Sequence, residues 1–330
     1  MYGDSMNVVY FIGNGFDLNL NLKTSYQDFL EFYKKVKNDS PKIFEFKREI
    51  DENYLDWVDL EVNLGKYTEK LGSSACFEEI HRDLIDELAN YLTLIQDDFS
   101  KKHLHKIDKN KFIKDLYSPE KYLDTANYRA INSYFKAQKN IRDVTIITLN
   151  YTDIIESILD LSKGKARYSN IPVDMSSSAP TEKLNIQQIL HLHGTVEENM
   201  VLGVDNINQV LNENLKTELD VQESIVKPLC NRVSGHAIDQ DCIRRLNNAN
   251  LICIFGSSIG ETDETWWKLI AEQVKKRDCR LIVFMHEPNL SKRRGQEKRR
   301  LARACWKRFS NDELPENRVF FAFNKEMFKL

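Results

Sequence analysis

Near the start of the chain runs Val8-Val9-Tyr10-Phe11-Ile12-Gly13-Asn14-Gly15-Phe16-Asp17. The β-branched and aromatic run Val8–Ile12 reads as a strand, and the Gly-Asn-Gly that follows stops it. A strand entering G-x-G lets the backbone approach a pyrophosphate closely, and a helix N-terminus behind it would add its dipole and free N–H groups. The third glycine of the dinucleotide fingerprint would fall at Leu18 and is missing. The segment about 20 residues on is helical rather than a second strand ending in an acid, so an ordinary nicotinamide dehydrogenase is disfavoured. The alternative reading of these residues is a tight turn without a ligand.

Beyond this turn the period changes. From Ser25 to about Asn140 apolar residues recur at three and four, as in Tyr26, Phe29, Leu30 and Tyr33 and in Leu84, Ile85, Leu88, Tyr91, Leu92 and Ile95. Ser40-Pro41, Gly72-Ser73-Ser74 and Ser118-Pro119 supply its few loop signals. Strand-length runs then return at Val144–Leu149, Ile189–His193, Leu251–Phe255, Leu281–Met285 and Val319–Phe323. They are continuous rather than alternating, as in strands of a parallel sheet covered on both faces. Helical stretches lie between them, at Thr265–Lys276 and in a basic segment near Lys292–Arg308, while Ser176–Pro180 reads as a loop. The expected fold is α/β, a Rossmann-like doubly wound and mostly parallel sheet with a large helical insertion after the first strand. Residues 1–24 would hold the first strand and glycine turn, 25–140 the insertion, and 141–330 the remaining core with a basic C-terminal helix.

Composition narrows the class. With 330 residues, 42% hydrophobic and 29% charged, the chain can bury a large core. Lys+Arg 47 against Asp+Glu 50 leaves a net charge of −3, which argues against a mainly electrostatic nucleic-acid binder but not against a local basic patch. Twelve Gly and seven Pro exclude a long disordered or collagen-like chain. Met1–Phe11 lacks the pattern of a signal peptide, and no apolar run approaches the ~20 residues of a membrane helix. The six cysteines form no C-x-x-C pair, and Cys253 reads as a packing thiol. The expectation is a cytoplasmic protein with free thiols.

Three further turns follow predicted strands. Thr148-Leu149-Asn150-Tyr151-Thr152-Asp153 places an amide where ligands of open α/β sheets bind, suited to a ribose hydroxyl or a water. Capping of a helix from Ile154 is the rival use. In Leu190-His191-Leu192-His193-Gly194-Thr195 the two histidines of a strand would point the same way. His193, at the strand end, has the chemistry of a general base at neutral pH. A merely structural histidine pair is the first rival there, and a metal pair the second, for which no third ligand is visible by spacing. Phe255-Gly256-Ser257-Ser258-Ile259-Gly260-Glu261-Thr262-Asp263 could contact a phosphate or ribose, or could simply turn a strand into a helix capped by Thr262 or Asp263. Trp266 and Trp267 follow, at least one of them in the core.

Two charged groups stand apart. Asp59 and Glu61 fall two apart on a helix whose packed side would be Trp57, Leu60 and Leu64; they read first as two solvated acids, and second as a pair of which one turns toward the sheet. The basic run Lys292, Arg293, Arg294, Lys298, Arg299, Arg300, Arg303, Lys307 and Arg308 reads first as a solvated helix face, and second as a contact for nucleic acid or an acidic partner.

The order G-N-G-F-D, T-x-N-x-x-D, L-H-G-T and G-S-S-I-G resembles the sirtuin-like NAD-binding fold. More closely, Ile12–Leu18 with Leu22-Lys23-Thr24-Ser25-Tyr26, Trp57–Glu61, Asn150-Tyr151-Thr152, His193-Gly194 and Gly256–Asp263 with Trp266-Trp267 resembles the AbiH family of bacterial abortive-infection proteins. The resemblance spans nearly the whole chain, and it implies cytoplasmic phage defence through NAD⁺ hydrolysis by an NADase. Asn150 and His193 would be catalytic. Gly13, Asn14, Gly15, Phe16, Asp17, Thr24, Thr152, Asp153, Gly256, Ser257, Ser258 and Asp263 would bind the NAD⁺. Thr152 stands where the sirtuin motif has Asp, with Asp153 one later. Without paired C-x-x-C motifs no zinc, and no metal at all, is expected. Constant hydrolysis would be toxic, so such an enzyme is expected to be autoinhibited until a phage-derived or partner-protein trigger arrives; family analogy also admits a homo-oligomer. A non-catalytic NAD or ADP-ribose sensor and a nucleic-acid-binding defence protein remain the alternatives.

Overall fold

The first strand, β1 (Met6–Ile12), is hydrogen-bonded to strands on both sides and buried on both faces. The computed structural model describes residues 5–136, 141–161, 168–173, 182–235, 237–291, 293 and 295–330. The loop expected at Ser176–Pro180 and the basic residues Lys292 and Arg294 lie outside them. In chain order β1 is followed by helices α1 (Gly15–Asn19), α2 (Tyr26–Tyr33), α3 (Pro41–Glu52), α4 (Leu60–Tyr67), α5 (Ser74–Lys102), α6 (Lys109–Tyr117) and α7 (Thr125–Lys136). Then come β2 (Ile141–Thr148), α8 (Ile154–Leu159), β3 (Tyr168–Val173), β4 (Glu182–His191), α9 (Leu219–Ile225), α10 (Lys227–Val233) and α11 (Ile238–Asn247). β5 (Leu251–Phe255), α12 (Glu264–Lys276), β6 (Arg280–Met285), α13 (Gly295–Trp306) and β7 (Val319–Phe323) complete the order.

These strands make one seven-stranded sheet of order β3-β4-β2-β1-β5-β6-β7. Every pairing is parallel except β3 with β4. Side chains of β1 alternate between two cores. Met6, Val8, Tyr10 and Ile12 pack with α6, α7, α8 and the C-terminal Met327 and Phe328. Val9 and Phe11 pack with α11, α12 and α13, including Trp267 and Trp306. The chain is thus an α/β protein with helices on both faces of a mostly parallel sheet.

β5 and β7 coincide with the expected runs, and the other parallel strands contain or overlap theirs. β4 begins seven residues earlier than expected and ends at His191, so His193 lies beyond it. The antiparallel strand β3 was not anticipated. It carries Asn170 and Pro172, poor strand formers, and Pro is tolerated because the strand is at the sheet edge.

The helices expected as one insertion, α2 to α7, divide between two cores. α6 and α7 cover the sheet. α2 to α5 form a separate cluster around Phe29, Phe46, Trp57, Phe77 and Leu84, completed by Leu202, Val204, Val221 and Ile225 from the distant segment between β4 and β5. Capping explains where several of these helices start. Ser25 accepts a hydrogen bond from Asp28 N at 3.1 Å, and Ser73 accepts one from Cys76 N at 3.3 Å.

The turns after β1 and β5 touch backbone to backbone. Gly13 N donates to Phe255 O at 2.9 Å and Gly15 N to Gly256 O at 2.7 Å. A Cβ on Gly15 would lie 2.5 Å from Gly256 Cα, and one on Gly256 would lie 2.6 Å from Phe16 N. Gly256 also has φ +71°, which a side chain resists. Gly256→Ala should therefore cost about 2–4 kcal/mol in denaturant unfolding, from left-handed strain plus overpacking. Gly72→Ala, with nothing near its Cβ, should stay within about 0.5 kcal/mol of wild type. Equal stability of the two variants would show that the turns can separate freely.

Candidate functional site

The carboxyl ends of β1, β2, β4 and β5 carry two clusters of polar side chains. The first forms around Asp17, which α1 turns inward until it is 1% exposed. Its Oδ1 accepts from Asn150 Nδ2 at 3.0 Å and its Oδ2 from Thr152 Oγ1 at 2.6 Å. Burial pushes the Asp17 carboxyl up to about 7, against the opposing pull of those two hydrogen bonds. With its amide nitrogen committed to Asp17, Asn150 keeps a buried Oδ1 that meets no hydrogen-bond partner. The Asn150 backbone carbonyl faces His191 Nδ1 at 3.0 Å, and His191 Nε2 lies 2.8 Å from Glu156 Oε1. Burial would lower the His191 pKa, but Glu156 outweighs it and raises it.

The second cluster centres on Lys227, at the start of α10. Its Nζ lies 2.9 Å from Glu61 Oε2 and 3.0 Å from Asp263 Oδ1, with all three side chains buried. Burial alone would depress the ammonium's pKa, and the two carboxylates more than reverse that. Burial works against the Asp263 anion too, but Lys227 and then His193 hold its carboxyl well below the usual range. His193 Nε2 lies 3.0 Å from the same Asp263 oxygen, a close approach without hydrogen-bond geometry. Tyr151, whose hydroxyl donates to Val201 O at 2.9 Å, stands beside His193 with ring centroids 6.4 Å apart.

A cleft of about 180 Å³ opens next to His193, Lys227 and Asp263. Trp266, Asp205 and Asp239 are among its other walls. Asp239 accepts from Asn231 Nδ2 at 2.8 Å, and burial raises its pKa. Ligand pockets are commonly ~300–1,000 Å³, so this one suits a single ring rather than a dinucleotide.

The structure brings the sequence-derived residues to one end of the sheet but sorts them. Asp17, Asn150 and Thr152 meet in the first cluster, and His193 and Asp263 in the second. The contacts of Asn150 and of His193 stay within their separate clusters. Gly13, Gly15 and Gly256 face one another, so the N–H groups of Gly13 and Gly15 are already bonded to carbonyls. Asn14 and Thr24 bond to each other, Thr24 Oγ1 donating to Asn14 Oδ1 at 2.6 Å. Phe16 is packed against Phe112 and Phe328. Ser257 Oγ accepts from Ile259 N at 3.2 Å within its own turn, and Ser258 is exposed while its carbonyl accepts from Arg308 Nη1 at 2.7 Å.

Several rival readings are resolved. Asn150 and Thr152 do not cap α8; Asp153 occupies that position without a capping hydrogen bond. Asp263 precedes α12 without capping it, because its carboxylate is turned to Lys227 and His193. The two histidines do not share a direction as expected: the strand ends at His191, and His193 departs to the other cluster. Asp59 caps α4 through Val62 N, and Glu61 is the acid that turns inward. Trp266 and Trp267 are both buried. Arg293, Lys298, Arg299, Arg300, Arg303, Lys307 and Arg308 are exposed, a solvated face apart from the Arg308 contact.

Sequence reasoning missed Lys227 and Glu156. A lysine inside the apolar run Ile225-Val226-Lys227-Pro228-Leu229 was the available signal, since a buried ammonium requires anionic partners. Glu156 carried none. All six cysteines are free thiols. Among the described residues no helix is long and apolar enough to cross a membrane.

Fold and side-chain geometry together define an α/β protein with buried, charged side-chain clusters at the carboxyl ends of a mostly parallel sheet. Residues 9–285 match the family model described as bacteriophage abortive infection AbiH, and the chain belongs to that family. Comparison with curated proteins returns no match.

Two outcomes test these clusters. Lys227→Met leaves two buried carboxylates facing each other and should cost about 3–5 kcal/mol in denaturant unfolding. Adding Glu61→Gln and Asp263→Asn should recover most of that loss; a triple variant as unstable as the single one contradicts the pairing. For Asp17, the folded acid holds its proton up to about pH 7 while the unfolded one releases it near its ordinary value. Wild-type stability therefore falls, relative to Asp17→Asn, as pH rises from 5 to 7, by up to about 1.4 kcal/mol per unit. A difference independent of pH would mean that Asp17 is ionised throughout.

Proposed function

We propose that this AbiH-family protein is a phage-defence effector that hydrolyses NAD⁺ at the nicotinamide–ribose bond and is held inactive until infection triggers it. The observation that carries the reading is Asn150. Its buried carboxamide oxygen, fixed by Asp17 and left without a partner at the carboxyl end of a central strand, is an acceptor waiting for a hydroxyl donor. An unmet buried acceptor costs about 1–3 kcal/mol, which a ribose hydroxyl or an attacking water would relieve.

In the reaction, water oxygen bonds to the anomeric carbon as the C–N bond breaks, and the bonding pair neutralises the nicotinamide ring nitrogen. The water's proton passes to His193 and then to solvent. Asn150 orients the ribose or the water. The cleft beside His193 suits the nicotinamide ring in size, and Asp205 and Asp239, with Asp263 already paired to Lys227, offer the ring's positive charge acidic neighbours. The paired turns of Gly13–Gly15 and Gly256–Ser258 shape the wall for the rest of the dinucleotide, without donors from Gly13 or Gly15.

The separation of Asn150 and His193 into different clusters favours a second reading, a sensor that binds NAD or ADP-ribose without turnover. Incubating the purified protein with NAD⁺ and resolving nicotinamide from ADP-ribose separates the two. Hydrolysis should occur and should fall about 10²–10⁴-fold in His193→Ala and in Asn150→Ala. Saturable NAD⁺ binding without consumption, in vitro and in phage-infected cells alike, would leave the sensor; neither binding nor consumption would remove both.

A further inference from the structure

We propose that His191, Glu156 and Asp153 form a divalent-metal site at the junction of β4 and α8, independent of any nucleotide chemistry. One nitrogen or oxygen from each of the three lies within 4.8 Å of the others, a spacing one ion can bridge. Sequence spacing offers the histidine motif no third ligand; the fold supplies two carboxylates from the N-cap and first turn of α8. Asp153 and Glu156 stand three apart at the start of α8 and so face the same way.

The hydrogen bonding sets up the donor atoms. His191 Nδ1 faces the Asn150 carbonyl, which can only accept, so Nδ1 carries the proton. This is the arrangement that orients metal-binding imidazoles: one nitrogen anchored to a carbonyl, the other free to ligate. The free nitrogen, Nε2, then turns its lone pair to Glu156 Oε1 at 2.8 Å. Two lone pairs at that distance repel unless a proton or a cation lies between them. A proton would satisfy that pair and nothing more. Glu156 Oε2, sealed from solvent and without a hydrogen-bond partner, would stay unmet. A cation serves both carboxylate oxygens, the imidazole and Asp153 together. One imidazole with two carboxylates suits Zn²⁺ or Mn²⁺ rather than Ca²⁺ or Mg²⁺. Because the same imidazole holds the Asn150 carbonyl, a bound ion would also stiffen the turn that presents Asn150.

The test is calorimetric titration of the chelator-treated full-length protein with Zn²⁺ and, separately, Mn²⁺. One of the two ions should bind one per chain, and Glu156→Gln and His191→Gln should each weaken it about 100-fold or more. Circular dichroism and melting of the metal-free variants establish that they fold; if His191→Gln does not, Asp153→Asn takes its place. No one-to-one binding of either ion by folded wild type overturns the site, as does binding that the variants leave unchanged. In that case the contact is a protonated His191–Glu156 ion pair.

Discussion

The backbone contact between the turn after β1 and the turn after β5 constrains everything around the site. It is possible only because Gly13, Gly15 and Gly256 bring no side chains to it. Their two N–H···O bonds continue the parallel ladder of β1 and β5, in which Ile12 pairs with Phe255, past the end of the sheet. With that register set, α1 must start at Gly15, so Phe16 enters one core and Asp17 points to Asn150 and Thr152. The same contact anchors the chain that leads to Asp263. Glycines that invite a phosphate-binding reading thus have a packing role as well, and the two uses compete for the same N–H groups.

Burial then makes charge the organising force. Glu61 comes from the helical cluster, Lys227 from α10, and Asp263 from the approach to α12, and none has enough water around it to remain ionised alone. Their mutual pairing ties the α2–α5 cluster to α10 and to the approach to α12, helped by His81 Nε2 at 2.8 Å from Leu202 O. Buried ion pairs add little net stability but exact a high cost when broken. The link therefore determines where the helical cluster sits more than how strongly it is held. His193 shares an Asp263 oxygen with Lys227, so its electrostatic surroundings depend on a helix inserted well over a hundred residues earlier.

The turn from Asn150 to Glu156 has a different character. Side chains from other elements hold Asn150 at two points: Asp17 accepts from its side-chain nitrogen, and His191 Nδ1 faces its backbone carbonyl. What remains is the side-chain oxygen, a single unmet acceptor in a closely specified place. Such precision is costly unless something binds there, and it concentrates the chemical interest of the molecule on a few atoms.

The sequence by itself determined the strands other than the antiparallel edge strand β3, together with the two glycine turns, the helical block after β1 and the family. These are written in local period and short motifs, where each residue's neighbours along the chain carry the signal. Of the site, it marked Asp17, Asn150, His193 and Asp263, because all lie just beyond predicted strands, at the end of the sheet where ligands bind. Tertiary structure alone decided their partners. Lys227 reaches Glu61 across 166 positions and Asn150 reaches Asp17 across 133, separations at which no spacing rule operates. The division of the two histidines likewise turned on where β4 ends, a boundary set by pairing with β2 rather than by the hydrophobic run. Local sequence shows which groups stand at the site; only packing decides which of them lose water, and the loss of water forces each to find a partner or leaves it to wait for one.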